Sequence, residues 1–382
     1  MLIWKSFKLF FSFLMVLTLF AGSVLAFDDP LNMPRGVTEI SNELYDLHMF
    51  VIYVCIAIAV VVFSVMFWAL IAHRKRPGYK GSRFHESLKL EVVWTIVPII
   101  ILVVLAVPAT KTIIKMYDTS RADMDIKITG YQWKWEYEYL GEGIRFFSNL
   151  STPKDQIDNK QDKGVNYLLE VDNPVVVPVG KKIRFLITAN DVIHSWWVPD
   201  LGVKKDAIPG FINETWTKID VPGVYRGQCA ELCGKDHGFM PVVIEAKTQK
   251  DFDQWFNKKR EAILAAKAAE AEIVWDKQTL INKGKTVYLS SCAACHMPTG
   301  KGLPPTFPAL VDNAVVLGDI KKQMEILVNG VPGTAMQAFG KQLSDAEVAS
   351  VITYTRNAWG NEDKGTDKEV SPEQIKQFKE QN

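Results

Sequence analysis

The apolar residues of the chain concentrate before residue 115. The first apolar run, at 9–20, follows Lys5 and Lys8 and precedes small residues that end at Ala26. A basic start, a short apolar core and a small-residue end are typical of a cleaved secretory signal, because a membrane span needs a longer run. The pattern therefore predicts a signal peptide over 1–26, with a retained transmembrane helix as the alternative.

Two longer apolar runs, at 49–72 and 92–109, have the length of membrane-spanning helices. About 20 apolar residues cross the bilayer core as a helix, and the second run reaches that length by continuing to residue 114. The connection between them carries six Lys and Arg residues against one acidic residue, Glu86. Since positively charged loops stay in the cytoplasm, we predict a transmembrane hairpin over 27–122, with spans at about 47–72 and 92–114 and both ends outside.

From residue 123 the apolar residues recur at every second position, which predicts β-strands. Up to Ile128 they share one phase, and from Tyr131 they share the other, with Gly130 between. A slip of phase at a glycine predicts a β-bulge at Gly130. Further strands, separated by Pro and Gly, are predicted at 167–171, 175–179, 181–189, 214–221, 224–228 and 241–246. Short strands of this kind predict a β-sandwich or barrel over 123–249.

The rest of the chain has helical patterns. Residues 250–274 are rich in Ala, Lys and Glu, with large apolar side chains near the start, which predicts a helical linker anchored at its beginning. Helices are also predicted at 279–290 and from a capping-box sequence at Ser344 to about residue 359. They belong to a predicted domain over 275–360, and the polar residues 361–382 are predicted to form a mobile tail.

Composition and charge restrict the function classes. The chain has 382 residues, enough for two or three folding units. Its 44 basic and 43 acidic residues give a formal net charge of +1, which argues against nucleic acid as a partner. Of the five cysteines, Cys55 lies in a predicted span as a small packing residue. The others form two close pairs, at 229 and 233 and at 292 and 295, and such pairs indicate ligands more than a disulfide framework.

The first cysteine pair belongs to a set of soft ligand groups. Within twelve residues the chain has the thiols of Cys229 and Cys233, the imidazole of His237 and the thioether of Met240. Nitrogen and sulfur donors of this kind suit copper. A mononuclear blue-copper site uses one cysteine, so a second one suggests two coppers bridged by two thiolates. Each copper then needs a histidine, and His194 is the candidate for the second.

Two other interpretations of this pair remain open. Zinc binds to cysteine and histidine in tetrahedral sites, and two cysteines can form a disulfide in an oxidising compartment. Neither interpretation requires Met240 at a fixed distance after His237.

The full pattern is His194 followed by Cys-x-Glu-x-Cys-x3-His-x2-Met at 229–240, and it resembles the binuclear copper A site of cytochrome c oxidase subunit II. The resemblance implies a cupredoxin-like β-sandwich whose end loops carry the copper ligands. The implied ligands are His194, Cys229, Cys233, His237, Met240 and the main-chain carbonyl of Glu231. By the same resemblance, the Glu231 carboxylate reaches a magnesium ion shared with subunit I.

Two further residues gain a role from this resemblance. Trp133 falls at the exposed tryptophan over the copper site through which electrons enter the family, although an aromatic stripe in a strand is usually core. Glu91, in the segment 90–98, falls at the glutamate that stands at the entrance of the proton-uptake channel leading into subunit I. Its other interpretation is an exposed acid at a helix end, although a carboxylate at this depth is a functional suspect.

The second cysteine pair lies in Cys292-Ala-Ala-Cys295-His296, the attachment signature of a c-type haem. Two thioether bonds hold the macrocycle in such a site, and His296 is the proximal iron ligand. A thioredoxin-like Cys-x-x-Cys is the alternative, but that motif does not need the following histidine. The secretory context also favours haem attachment.

A sixth iron ligand must come from another side chain, and three methionines are candidates. Met297 adjoins His296 and cannot reach the opposite face of the ring. Met324 has helical spacing with apolar neighbours, which predicts a core residue. Met336 lies in a glycine-rich loop that can approach a flat ring closely, so it is the predicted ligand. With a helix on each side, this region resembles an all-α class I cytochrome c domain.

The resemblance covers residues 35–360, and the chain is identified as a member of the cytochrome c oxidase subunit II family fused to a class I cytochrome c domain, as in caa-type haem-copper oxidases. The implied fold is a multidomain membrane protein with a two-helix transmembrane hairpin, a cupredoxin-like β-sandwich and an all-α cytochrome c domain. The implied function is to relay single electrons from haem c through copper A to haem a of subunit I, where dioxygen is reduced to water and protons are translocated.

The resemblance also implies partners and a location. The partners are subunit I, subunit III, cytochrome c or another upstream electron donor, and the lipid bilayer. The location is the bacterial inner membrane, with the copper and haem domains on the periplasmic side.

Related proteins offer alternatives. A copper-A nitric oxide reductase would use the same electron input, and the sequence of its partner subunit would distinguish it. A quinol oxidase subunit II would lack Cys229, Cys233 and His237, which this chain has. A stand-alone copper carrier has little use for two spans and a haem, and this chain has no room for the propeller domain of nitrous oxide reductase.

Overall fold

The computed structural model of the chain describes residues 32–74, 77 and 86–381. The predicted signal peptide, at 1–26, lies outside the described residues. The chain divides into two compact units, Met1–Lys259 and Arg260–Asn382. The division falls inside the predicted helical linker.

Two long apolar helices begin the first unit: α1, Glu39–Ala72, and α2, Leu88–Tyr117. Both are long and apolar enough to cross a membrane. Each begins several residues before the predicted span, because that prediction followed only the apolar run and left out the polar first turns. A capping box starts α1, where the side chains of Thr38 and Ser41 accept hydrogen bonds from each other's main-chain N–H groups.

A sandwich of two five-stranded sheets follows the helices. Its strands are β1 Met124–Tyr131, β2 Lys134–Tyr139, β3 Ile144–Ser148, β4 Val175–Pro178, β5 Lys182–Ala189, β6 His194–Val198, β7 Val203–Ala207, β8 Asn213–Lys218, β9 Gly223–Cys229 and β10 Pro241–Lys247. The sheet orders are β3-β2-β1-β5-β8 and β4-β10-β9-β6-β7. The predicted alternation is seen in β5, where Ile183, Phe185 and Ile187 are buried in the core.

The predicted β-bulge at Gly130 is wrong. The antiparallel register of β1 and β2 runs evenly through Gly130, which lies opposite Trp135. The chain instead reverses at Gln132 and Trp133, so the slip of phase marks the turn of a hairpin. A glycine is needed at 130 for another reason: a Cβ atom there would lie 2.8 Å from the ring of His194.

Other strands also differ from the prediction. At 167–171 the chain forms a turn and a single bridge between Leu150 and Val171, so the predicted strand is wrong. Conversely, the sequence pattern does not reveal β3, β6 or β7. In β6, His194, Ser195 and Trp196 are all buried and Trp197 is exposed, so the strand shows no regular alternation of buried and exposed positions.

The start of α1 and the end of α2 both contact the sandwich. Thr38 Oγ1 donates a hydrogen bond of 3.0 Å to the carbonyl of Leu201, in the connection between β6 and β7. Gly36 packs so tightly there that a Cβ atom would lie 2.2 Å from a main-chain oxygen. On the other side, the indole N–H of Trp216 in β8 donates to the carbonyl of Lys115 in α2. We call residues 36–41 the N-terminal clamp.

Two further helices accompany the strands: the short α3, Lys154–Ile157, between β3 and β4, and the long α4, Gln249–Ala271, after β10. In α4, Phe252 is buried, and the ring centroids of Trp255 and Phe256 lie 5.7 and 6.0 Å from that of Tyr139. The first turns of α4 therefore pack on the sandwich through aromatic contacts.

The second unit is helical around one core. Its helices are α5 Lys277–Ser291, α6 Ala293–His296, α7 Ala314–Leu317, α8 Ile320–Asn329, α9 Asp345–Asn357 and α10 Pro372–Gln381. Helices α5 and α9 touch at Gly284, where a Cβ atom would lie 2.0 Å from the carbonyl of Ser350. Ser344 starts α9 with the predicted capping box, and Met324 is buried in the core.

The prediction of a mobile tail is wrong for the part of it that the structure describes, 361–381. Val370 and the α10 residue Ile375 are buried in the core of the unit. The buried guanidinium of Arg356 donates hydrogen bonds to the carbonyls of Thr366 and Asp367. The segment is mostly polar, so its few apolar side chains at helical spacing do not stand out in the sequence. These side chains pack the segment against α9.

Candidate copper centre and haem-attachment site

Ligand-type residues meet at one end of the sandwich because of how its strands pair. His194 is the first residue of β6, and Cys229 is the last residue of β9. The two strands are neighbours, with Trp196 opposite Cys229, so the two side chains lie at the same edge of the sheet. The connection between β9 and β10 carries the remaining predicted ligands.

The two thiols of this edge lie side by side, and each has an imidazole next to it. The Sγ atoms of Cys229 and Cys233 are 3.8 Å apart. The Nδ1 atom of His194 lies 3.9 Å from the sulfur of Cys229. The Nδ1 atom of His237 lies 3.4 Å from the sulfur of Cys233. One nitrogen donor therefore accompanies each sulfur.

Two weaker donors complete the cluster. The thioether sulfur of Met240 lies 3.6 Å from the sulfur of Cys233. The main-chain carbonyl of Glu231 lies 3.4 Å from the sulfur of Cys229. Both thiols and Met240 are buried, so bulk water has little access to these donors.

The donor set fits two copper ions. A disulfide needs a sulfur separation of about 2 Å, and these sulfurs are too far apart for one. A single tetrahedral zinc would use two sulfurs and two nitrogens, and would leave Met240 and the Glu231 carbonyl without a role. Soft sulfur and imidazole donors with a thioether nearby are the combination that copper prefers.

The ionisation of the two thiols is unequal. The pKa of Cys229 falls to about 3, chiefly because the Cys233 thiol donates a hydrogen bond to its thiolate. The pKa of Cys233 is raised, because its proton is shared with the Cys229 thiolate and because burial disfavours a second charge. One thiolate is therefore available before a metal arrives, and the other thiol must lose its proton when the metal binds.

Trp133 lies on the turn between β1 and β2, directly over this cluster. Its indole N–H donates a hydrogen bond of 3.2 Å to the carbonyl of Cys233, and the side-chain amide of Gln132 donates one of 2.8 Å to the same oxygen. Trp133 is half-buried, whereas Trp135 is fully buried and donates to the carbonyl of Met240. We call residues 131–134 the Trp133 turn.

Asp191 is a residue of this site that the sequence analysis missed. Its Oδ1 atom lies 2.9 Å from Nε2 of His194 and accepts from the N–H of Val192 at 2.7 Å. Its Oδ2 atom accepts from the N–H of Gln132 at 2.8 Å. The signal that would have found it is the spacing Asp-x-x-His, which turns a carboxylate back towards a ligand histidine.

The structure does not bring Glu91 to the copper-type ligands. It lies in the first turn of α2, and the sandwich follows the other end of that helix. Glu231 is an exposed residue whose main-chain carbonyl faces the sulfur of Cys229.

In the second unit, the haem signature occupies one helical turn after α5. The main-chain carbonyl of Cys292 accepts hydrogen bonds from the N–H groups of Cys295 and His296, so the three side chains start from one turn. The ring of His296 lies with Nδ1 2.9 Å from the carbonyl of Pro308. Because a carbonyl can only accept, Nδ1 carries the proton and Nε2 has the lone pair that an iron ligand needs. Burial lowers the pKa of this ring, which keeps it neutral.

The three candidate methionines lie in different surroundings. Met297 follows His296 directly with a positive φ of 62°, and its carbonyl accepts from the Tyr288 hydroxyl. Met324 is buried in the core of the unit, so it is not available to a haem. Met336 lies on the connection between α8 and α9, where its carbonyl accepts from Val331 and its side chain packs against the edge of the core. The assignment of Met336 as the iron ligand stays a prediction.

Comparison with protein families gives three matches along the chain. Residues 26–112 match the transmembrane domain of cytochrome c oxidase subunit II, and residues 124–247 match its periplasmic domain. Residues 279–354 match subunit III of the cbb3-type cytochrome c oxidase.

Comparison with individual proteins agrees. The chain is 40% identical over 247 residues to the probable cytochrome c oxidase subunit 2 of Rickettsia bellii, covering 64% of this chain and 90% of that one. It is 30% identical over 377 residues to cytochrome c oxidase subunit 2 of Alkalihalophilus pseudofirmus, covering 94% and 98%. The solved periplasmic domain of cytochrome oxidase subunit II from Bradyrhizobium japonicum has 44% identity and a TM-score of 0.34, covering 38% and 98%.

Proposed function

The chain belongs to the cytochrome c oxidase subunit II family, and from this premise we propose that it receives single electrons and relays them to subunit I of a respiratory oxidase. It is a membrane-anchored subunit of an oxidoreductase, with periplasmic domains and subunit I as its partner in the complex. The proposed route runs from haem c to copper A and then to haem a of subunit I, where dioxygen reduction is coupled to proton translocation. The proposed location is the bacterial inner membrane.

The observation that carries this proposal is the pair of thiols, 3.8 Å apart, with an imidazole beside each. The matched families imply copper A and haem c, which supply the one-electron chemistry when bound. For the copper ions we propose the ligands His194, Cys229, Cys233, His237, Met240 and the carbonyl of Glu231. The residues around them hold the donors on a rigid sandwich and exclude water, which keeps the ligand positions nearly constant when an electron arrives or leaves.

For the haem we propose thioether bonds from Cys292 and Cys295 and iron ligation by His296 and Met336. The hydrogen bond between His296 and Pro308 supports this role, because it orients the ring and fixes its tautomer. The glycines at 330 and 333, both with positive φ, give the Met336 loop a path that other residues rarely adopt. Since both sites lie on one chain, their mutual effective concentration is on the order of millimolar.

We propose Trp133 as the residue through which an external donor, cytochrome c or another carrier, delivers electrons to the copper site. Its support is the hydrogen bond to Cys233, which joins the half-buried indole to a copper ligand. Whether electrons come through Trp133 or from the fused haem depends on the donor present, and the two paths share the same copper site.

The remaining roles are proposals about the complex. The exposed position of Glu231 supports a carboxylate that binds a magnesium ion shared with subunit I, while its carbonyl faces the sulfur of Cys229. The position of Glu91 in the first turn of α2 supports a role at the entrance of a proton channel in subunit I. Subunit III is the further proposed partner. No observation on the described residues favours the nitric oxide reductase alternative.

The test is spectroscopy of the full chain, purified from a host that attaches c-type haem and supplies copper. We expect a low-spin haem spectrum, thiolate-to-copper charge-transfer bands and the EPR spectrum of an electron shared by two coppers. Reduced haem should be oxidised by the copper centre within one molecule, at a rate independent of protein concentration. A haem spectrum without the copper bands would contradict the proposed function at its centre.

A further inference from the structure

We propose that Asp191 is a positioning residue that holds the copper ligand His194 and the Trp133 turn in one fixed arrangement. The inference rests on the proposed copper ligands and adds to them a residue that determines their geometry. Asp191 belongs neither to the Cys-x-Glu-x-Cys-x3-His-x2-Met pattern nor to the ligand cluster itself.

Asp191 orients the ring of His194. The ring has no exposed surface, and its Nε2 atom lies 2.9 Å from Oδ1 of Asp191. A carboxylate oxygen accepts, so Nε2 carries the proton and Nδ1 presents its lone pair towards the sulfur of Cys229, 3.9 Å away. Without an acceptor at Nε2, nothing in this contact would select the tautomer that can bind a metal through Nδ1.

Packing limits the position of the ring but not its tautomer. Trp135 contacts it edge-on, with ring centroids 5.8 Å apart. On another side, the main chain at Gly130 is so close that a Cβ atom would lie 2.8 Å from the ring. These apolar contacts hold the ring equally well in either tautomer. The choice of the His194 tautomer therefore depends on the hydrogen bond to Asp191.

The other oxygen of the same carboxylate binds the Trp133 turn. Oδ2 accepts from the N–H of Gln132 at 2.8 Å, so Asp191 also holds the start of the Trp133 turn. The side chains of Gln132 and Trp133 in turn donate to the carbonyl of Cys233. One carboxylate thus joins the strand that carries His194 to the turn that covers Cys233.

An asparagine cannot replace this carboxylate. Asp191 accepts from three N–H groups, two at Oδ1 and one at Oδ2. An amide of the same shape has only one acceptor, and its NH2 group would face either the Nε2 proton of His194 or the N–H of Gln132. The Asp191→Asn variant must therefore break one side of the bridge, and the side chain is too buried for water to replace the lost bond easily.

The test uses the full chain with its haem attached and compares Asp191→Asn with the wild type. Copper affinity is measured by competition with a chelator, histidine nitrogen couplings by pulsed EPR, and amide exchange at Gln132 by mass spectrometry. We expect copper affinity to fall roughly 10- to 100-fold, as it does for lost hydrogen-bond partners of metal ligands. We also expect one of the two histidine couplings to change and exchange of the Gln132 amide to accelerate.

The matched control is Asp206→Asn, which removes the same charge from the exposed face of the neighbouring strand β7. It should leave all three measurements at wild-type values. Asp191→Glu keeps two acceptor oxygens and should retain more copper affinity than Asp191→Asn. This second variant also keeps the inference testable if the asparagine variant folds poorly.

The outcomes separate this inference from the proposed function. If the wild type lacks the dicopper signal, the proposed function fails and this inference fails with it. If the wild type has the signal and Asp191→Asn binds copper with unchanged affinity and unchanged couplings, the inference alone is overturned. Unchanged exchange at Gln132, or a glutamate variant no better than asparagine, would overturn the bridging arrangement.

Discussion

The indole N–H of Trp133 donates a 3.2 Å hydrogen bond to the main-chain carbonyl of Cys233, so an aromatic ring that is half-exposed is attached directly to a proposed copper ligand. In the proposed function, this ring lies on the path of electrons from an external donor to the copper site. The side chain of Gln132 binds the same carbonyl, which keeps the turn in place when the ring itself is changed.

Replacing Trp133 by phenylalanine should therefore affect electron delivery more than copper binding. The variant loses the indole N–H and part of the ring, and we expect electron input from an external donor to slow by about tenfold or more, since small losses of positioning have large kinetic effects. Stopped-flow reduction measures this rate, and copper EPR should stay unchanged. Trp197→Phe, at an exposed tryptophan of β6, is the control. Equal rates in both variants would contradict electron entrance at Trp133.

Copper uptake by the copper-free protein should depend on pH. Because the pKa of Cys233 is raised, this thiol keeps its proton near neutral pH and must release it when copper binds. Cys229, with a pKa of about 3, is already a thiolate and adds no proton release above pH 5. We expect affinity to rise about tenfold per pH unit between pH 6 and 8, for at least one released proton. Titration at several pH values measures the slope, and a flat profile would contradict the raised pKa.

Ile375→Ala should destabilise the haem-attachment unit. The side chain is fully buried in α10, so its truncation should cost about 2–5 kcal/mol of unfolding free energy. Lys376→Ala, at the adjacent exposed position, should change it by less than about 0.5 kcal/mol. Denaturant unfolding, followed by the haem absorption band, compares the two. If both variants unfold like the wild type, residues 361–381 do not belong to the folded unit.

Asp200→Asn should stabilise the sandwich at neutral pH. Burial raises the pKa of the Asp200 carboxyl. The protonated carboxyl therefore contributes to the stability of the folded protein, and this contribution is fully present below the unfolded pKa of about 4. That contribution is lost as the pH rises through the raised folded pKa, because the charged form is poorly solvated. Since the group is partly exposed, we expect the unfolding free energy of Asp200→Asn to exceed that of the wild type by less than about 1 kcal/mol at pH 7, and to equal it at pH 3.5.

The exposed Asp220→Asn provides the control for this charge change. Thermal unfolding at the two pH values distinguishes the variants. A loss of stability in Asp200→Asn at pH 7 would show that the carboxylate makes a favourable interaction, and the raised pKa would then be wrong.

The sequence predicts the parts of the fold that depend on local patterns. The apolar runs predict both helices, and the alternation in β5 predicts a half-buried strand. Strand β6 is not predicted, because its consecutive residues His194, Ser195 and Trp196 are all buried, and only the assembled sandwich reveals that burial. The change of phase at Gly130 is a real feature of the sequence, but either a β-bulge or a hairpin turn can produce it. The even register of β1 and β2 shows that the turn is the cause.

The candidate site shows the same limit. Ligand-type residues stand out by their chemistry and spacing, so the cluster of His194, Cys229 and Cys233 can be anticipated from the chain alone. Asp191 does not stand out, because an aspartate in a loop is common and its role depends on the Gln132 amide, 59 residues away in sequence. Contacts between distant residues are the part of a site that spacing cannot give.

The N-terminal clamp has a consequence for biogenesis. Thr38 precedes the first membrane helix, yet it is buried against the connection that follows β6, far along the chain. The sandwich can complete this contact only when the residues before α1 and those after α2 have reached the same side of the membrane. The contact between Thr38 and Leu201 therefore forms only in a correctly translocated chain. A chain inserted with its amino terminus in the cytoplasm would leave the surface around Leu201 exposed to proteases.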